Sequence, residues 1–184
     1  MVGRTEMKIA VYCGSGNGNN PSYIEAAREL GEWIGKNGHS LVYGGGESGL
    51  MGEVSKAAKE NGAYVTGVIP FDVAFIANRP QPYCDEVIKT KNMSERKAKM
   101  LELSDAFVAL PGGIGTLDEI SEAVTLTKIG VQNKKSIFFN KDGFYEPLKK
   151  MFQKMIESEF MKNEDIEKVC FAEKVEQIEE FLKW

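Results

Sequence analysis

The sequence predicts an α/β fold in which a doubly wound parallel sheet carries helices on both faces, making three layers. Two observations lead to it. Short apolar runs of strand length alternate with amphipathic helical segments along nearly the whole chain, the pattern of strand–helix–strand crossovers. Three glycine-rich turns, Gly14–Gly18, Gly44–Gly49 and Gly112–Gly115, each follow one of those strands. All three therefore fall on the carboxyl edge of a parallel sheet, where such folds bind ligands. Residues 1–184 read as one Rossmann-like nucleotide-binding domain, long enough to bury a sizeable core, with residues 1–6 a short disordered lead.

Each element has its own justification. Lys8–Cys13 is a first, mostly apolar strand. Gly14–Asn20 is a turn, and Pro21 suits the first turn of a helix running to about Asn37. Leu41–Tyr43 is the second strand, followed by the Gly44–Gly49 turn and a helix to about Asn61. Val65–Ile69 is the third strand. Pro70–Asp85, broken by Pro80 and Pro82, reads as a long surface loop. Glu86–Thr90 is a short strand, and a helix begins near Asn92. Asp105–Leu110 is a buried strand that enters the turn at Pro111; after it Leu117, Ile120 and Val124 recur at helical spacing. Ser136–Phe139 is a further strand, Phe144–Glu159 and Val175–Leu182 are helices, and Lys168–Phe171 is a small edge strand.

Composition narrows the function. Hydrophobic content of 42% and charged content of 27% are ordinary for a soluble globular protein. The net charge of −4 provides no global basic field for nucleic acid. Cys13, Cys84 and Cys170 stand apart from one another and His39 is the single histidine, so no zinc spacing exists and no metal is expected. Lone thiols, no signal peptide and no bilayer-length apolar run point to a cytoplasmic protein without a membrane span.

The third turn is the most telling. Glycines bring bare backbone N–H groups close to a ligand, and a helix start adds unpaired N–H groups and the positive end of a dipole. Together they make a site for an anion, most often phosphate. Thr116 is placed as the N-cap, with Glu119 three residues on completing a capping box. Standard nucleotide motifs fail. The G-x-G-x-x-G fingerprint would need glycine where Asn19 stands, and no acidic residue follows the second strand to hold a ribose. A P-loop would need Lys-Ser/Thr after Gly49, where Leu50 and Met51 stand.

The helix from Asn92 adds a second clue. At about 100° per residue, Met93, Met100, Leu101 and Leu103 fall within an arc of roughly 160°, with Glu95, Lys99 and Glu102 outside it. Arg96 and Lys97 fall inside the apolar arc. A buried cation is costly unless paired, so these two ask for a protein carboxylate or a ligand phosphate, unless both snorkel along the helix edge. Arg96, with its planar fork, suits bidentate anion recognition better. Glu119 lies away from the Leu117, Ile120 and Val124 stripe, and its capping role competes with a functional one. Ala123 and Leu126 make a second apolar side on the same helix, which a homodimer partner would cover.

Met93-Ser94-Glu95-Arg96-Lys97 followed by Pro111-Gly112-Gly113-Ile114-Gly115-Thr116-Leu117-Asp118-Glu119 resembles the paired signature of the Lonely Guy (LOG) family. These are cytokinin riboside 5′-monophosphate phosphoribohydrolases, often mislabelled lysine decarboxylases. The likeness runs from Cys13-Gly14-Ser15 through Tyr43-Gly44-Gly45 and Gly49-Leu50-Met51-Gly52 to Asp142-Gly143-Phe144-Tyr145. It implies hydrolysis of the N-glycosidic bond of an adenine-type nucleoside 5′-monophosphate, a cytokinin riboside 5′-monophosphate or AMP, giving free base and ribose 5-phosphate. It implies Arg96 and Glu119 as the catalytic pair, and Ser15, Gly45, Met93, Lys97, Gly112, Gly113, Ile114, Gly115, Thr116 and Thr125 as substrate-contacting positions. It also implies a homodimer and no cofactor. Two departures stand out: Asp118 where many members carry glutamate, and a Phe71–Asp85 loop that does not match the usual pattern.

N-glycoside hydrolysis passes through an oxocarbenium-like state, so a carboxylate near the ribose is useful. In this scheme Gly112–Thr116 hold the 5′-phosphate, Glu119 orients water or stabilises positive charge, and Arg96 clamps phosphate or ribose or assists the leaving base. The alternative is a non-catalytic nucleotide or molybdenum-cofactor carrier, or a ligand sensor, on the same type of fold. A pure binder would not need the Arg96/Glu119 pair. A pyridoxal-dependent decarboxylase follows only from the old family label, and the chain has no convincing domain for that cofactor.

Overall fold

The structure, a computed structural model, describes residues 6–72 and 81–183. Among them, seven strands form one wholly parallel sheet. They are β1 (Lys8–Tyr12), β2 (Ser40–Tyr43), β3 (Val65–Pro70), β4 (Glu86–Thr90), β5 (Ala106–Ala109), β6 (Lys135–Phe139) and β7 (Val169–Ala172), in the order β4-β3-β2-β1-β5-β6-β7. The helices are α1 (Pro21–Lys36), α2 (Gly49–Glu60), α3 (Met93–Leu103), α4 (Ile114–Lys128), α5 (Glu146–Glu157) and α6 (Val175–Lys183). None of the helices among these residues is long and apolar enough to cross a membrane.

Successive side chains of a strand point to opposite faces, and both faces here are covered. Ile9 and Val11 of β1 pack with Leu30 and Ile34 of α1, Val54 of α2 and Ile178 of α6. Ala10 and Tyr12 pack on the other face with Met100 of α3, Ile120 of α4 and Tyr145 and Leu148 near the start of α5. This double burial is why the central strands read as apolar runs, while the edge strand β4 (Glu86–Thr90) stays largely exposed. Two helix starts near the expected positions are capped by asparagine side chains. Asn20 accepts from the Ser22 N–H at 3.0 Å ahead of Pro21. Asn92 accepts from the Glu95 N–H at 2.9 Å.

Some expectations are corrected. The helix expected from Phe144 begins at Glu146, after a 3₁₀ turn over Lys141–Gly143 in which Asp142 has φ 51°. Asp142 accepts from Ser22 Oγ at 2.6 Å and Asn20 Nδ2 at 3.0 Å, which ties that turn to the start of α1. The N-cap of α4 is Gly113, without a side-chain cap, so Thr116 lies inside the helix and the capping box does not form. Thr116 instead packs on Gly112: a Cβ there would meet its Oγ1 at 2.2 Å. Ala123 is fully buried within its own chain and Leu126 packs half-buried on the core, so these two are not a side left for a partner. Of the expected long loop, residues 73–80 lie outside the described residues, as do residues 1–5 of the expected lead.

Strand order reverses between β1 and β5, the switch point where doubly wound sheets open a crevice. There the Gly14 N–H donates to the Pro111 carbonyl at 3.1 Å, joining the first and third glycine-rich turns. Gly49, with φ +63°, brings the second turn against the first: a Cβ there would fall 2.2 Å from the Ser15 carbonyl oxygen, so only glycine fits.

Candidate active site

The three turns enclose a cavity of about 400 Å³ at the carboxyl ends of β1, β2 and β5. Its walls are Cys13–Ser15, Gly44–Gly46, Ser48, Met51, Met93, Arg96, Gly113–Thr116 and Glu119. The start of α4 forms one side. The first backbone bond of that helix runs from the Leu117 N–H to the Gly113 carbonyl at 3.1 Å. The N–H groups of Ile114, Gly115 and Thr116 precede it and have no partner within the helix. They and the dipole favour an anion at this rim.

Arg96 and Glu119 form the buried centre. Arg96 Nη1 donates to Glu119 Oε1 at 2.5 Å, and Arg96 Nε donates to the Val68 carbonyl of β3 at 3.0 Å. The two residues are 5% and 7% exposed. A guanidinium taken this far from water needs both partners, the charged Glu119 carboxylate and the Val68 carbonyl. The close fit extends to β2: a Cβ on Gly44 would sit 2.1 Å from Arg96 Nη2. Burial pushes the Glu119 carboxyl above its ordinary pKa, with the Arg96 charge opposing. Burial also pushes the Cys13 thiol far up, so it is no thiolate nucleophile.

Of the positions expected from sequence, Ser15, Gly45, Met93, Arg96, Gly113, Ile114, Gly115, Thr116 and Glu119 meet at this cavity. Glu119 lies on the inner face of α4 with Ile120 and Ala123 rather than away from the apolar stripe, and Leu117 is only half-buried. Gly112 lines an adjoining cavity of about 330 Å³ that shares Gly14, Ser15 and Gly113 with the first. Lys97 is not brought in. Its ammonium pairs with Asp118 and Glu122, both at 2.9 Å, and those hydrogen bonds raise its pKa. Thr125 is exposed and donates to the Ser121 carbonyl at 2.7 Å, away from the cavity. Cys13, Gly44, Gly46, Ser48 and Met51 also form the wall without having been expected as contact positions; Cys13 and Gly44 follow directly on β1 and β2, and Gly46 and Ser48 belong to the second turn.

A family model described as "Possible lysine decarboxylase" matches residues 51–182. The chain is 46% identical over 140 residues to the rice (Oryza sativa subsp. japonica) protein named cytokinin riboside 5′-monophosphate phosphoribohydrolase LOG, an alignment that takes in 76% of this chain. The chain belongs to the LOG family. A probable phosphoribohydrolase of that family from Arabidopsis thaliana is 41% identical over 153 residues, covering 83% of this chain. The chain spans 57% of the length of the rice relative and 76% of the Arabidopsis one. Among solved structures, the molybdenum cofactor carrier protein of Chlamydomonas reinhardtii superposes with a TM-score of 0.74. That match covers 98% of this chain and all of that one at 23% identity, a likeness of fold alone.

Proposed function

We propose that this LOG-family chain hydrolyses the N-glycosidic bond of adenine-type nucleoside 5′-monophosphates, giving free base and ribose 5-phosphate. The observation that carries the reading is the buried Arg96–Glu119 pair beside the open N-terminus of α4. A carrier needs the N–H cradle but has no use for a desolvated carboxylate held against a guanidinium next to it. The names of the relatives, cytokinin riboside 5′-monophosphate phosphoribohydrolases, agree with that chemistry.

On this reading the 5′-phosphate rests on the N–H groups of Ile114–Thr116 and the adjoining backbone of Gly112 and Gly113. The ribose then lies over Glu119. As the bond from C1′ to the base nitrogen breaks, positive charge grows at C1′ and the carboxylate stabilises it, in a pocket where such charge interactions are strong. Glu119 also orients the water that adds to C1′; the water's proton leaves and the departing base takes one up. Arg96 holds Glu119 in place and keeps Nη2 toward the Gly44 wall, from which it assists phosphate, ribose or base. Met51 and Met93 supply an apolar, adaptable wall for the base. The protein acts as a homodimer in the reducing cytoplasm, where lone thiols persist, with Ile114 (83% exposed) and Ile129 (62% exposed) on α4 and its end as partner-facing residues.

Incubation with AMP and with isopentenyladenosine monophosphate, followed by chromatography for free base, tests the reading. Base release from either, lost in Glu119→Gln, supports it, and the rate ratio assigns the base pocket. Tight nucleotide binding without base release favours the carrier.

A further inference from the structure

Leu110 lies between β5 and the Pro111–Gly113 turn and is fully buried. Its N–H continues the ladder to the Tyr12 carbonyl at 2.9 Å. The next donor on that side, the Gly14 N–H, passes over Leu110 to the Pro111 carbonyl at 3.1 Å. A buried carbonyl at such a place needs a donor from elsewhere. The Tyr145 hydroxyl supplies it, donating to the Leu110 carbonyl at 2.7 Å.

That hydroxyl has little freedom. Tyr145 is 5% exposed, and its ring meets Phe138 and Phe144 edge-on, with centroids 5.1 and 4.9 Å away. Its backbone N–H donates to Asn140 Oδ1 at 2.6 Å. From Leu110 the chain passes directly to Pro111, whose carbonyl accepts from Gly14, and to Gly113, the cap of α4.

We propose that Tyr145 is a positioning residue: its hydroxyl fixes the Leu110 carbonyl, and so the turn that aims the first N–H groups of α4 at the 5′-phosphate. The inference rests on the nucleotide reading above and deepens it. Because Arg96 holds Glu119 separately, Tyr145 governs capture of the phosphate and not bond cleavage. Burial keeps the phenol protonated, so it stays a donor at any working pH.

Tyr145→Phe tests this, with Ile178→Val as a control that loosens the core on the opposite face of the sheet. Both are assayed for base release from AMP well below their melting temperatures, and for AMP binding by calorimetry. In Tyr145→Phe, KM and Kd for AMP rise about tenfold, the size of one hydrogen bond, while kcat stays within about threefold. Ile178→Val loses stability with KM and Kd unchanged. Unchanged KM and Kd in Tyr145→Phe, or an equal rise in Ile178→Val, overturns the proposal. If the natural chain binds AMP but releases no base, the hydrolase reading falls, and the Kd comparison still decides the role of Tyr145.

Discussion

Gly44→Ala places one methyl group against the centre of the site. The new Cβ would stand 2.1 Å from Arg96 Nη2, and relief to ordinary contact requires the guanidinium to retreat by about 1.3 Å. The end of an arginine is usually free to do so, but this one is held on two sides. Nε is 3.0 Å from the Val68 carbonyl and Nη1 is 2.5 Å from Glu119, and a shift of that size breaks at least one of these bonds. Breaking a buried ion pair costs about 3–5 kcal/mol, and partial relaxation brings the expected loss to about 3 kcal/mol. For a chain of this length that lowers Tm by roughly 6–12 °C. Misplacing a reacting group by about 1 Å costs on the order of 100-fold in rate. Thermal melting and base release from saturating AMP read both quantities. Combined with Arg96→Ala, the same substitution should cost almost nothing more, because the clash is gone. Natural-like Tm and turnover in Gly44→Ala, or full additivity in the double variant, would refute the picture of a locked guanidinium.

Other expectations follow from the charges. Burial raises the pKa of Glu119, and the working form is the carboxylate, so kcat falls with acid from a higher pH than an exposed glutamate of about 4.3 would set. An acid limb at or below that ordinary value contradicts the assignment. The same raised value means that Glu119 adds stability below its unfolded pKa, and this is lost as pH rises through the folded one; Glu119→Gln should remove that pH dependence in a melting series. Lys97→Ala breaks a surface pairing worth about 1 kcal/mol or less and should change KM for AMP by less than about fivefold. A far larger KM would mean that Lys97 reaches the substrate. Asp85 accepts from the Val65 N–H at 2.9 Å and pairs with Lys59, and those bonds hold its carboxyl below the usual range. Its contribution is present above the ordinary carboxylate pKa and lost as pH falls through the lowered value, so Asp85→Ala should lower stability by about 1 kcal/mol at neutral pH and by progressively less as acid protonates the carboxyl.

Much of this arrangement is legible in sequence. Strands buried on both faces leave short apolar runs, and helix starts such as those at Pro21 and near Asn92 are set within two or three residues, so local patterns locate them. The placement of Arg96 inside an apolar arc already signalled a paired cation. Its partners were not legible in the same way. Glu119 lies 23 residues away on another helix and the Val68 carbonyl 28 residues away on a strand. A capping box was the nearest local explanation for Glu119, and it yields because Gly113 starts α4 earlier and Thr116 fills the space against Gly112. The Tyr145 hydroxyl is equally silent in sequence, since its need arises only where the Gly14 N–H passes over the Leu110 carbonyl at the end of the β1–β5 ladder.

The central claim is that Glu119 acts on the bond and not on nucleotide binding. The most direct measurement is AMP turnover beside AMP affinity in Glu119→Gln, which keeps the shape and one acceptor for Arg96. The account predicts a loss of at least about 1,000-fold in kcat with Kd within about threefold of the natural chain. A variant that still releases base at near-natural rate, or one that loses affinity and turnover together, would contradict it.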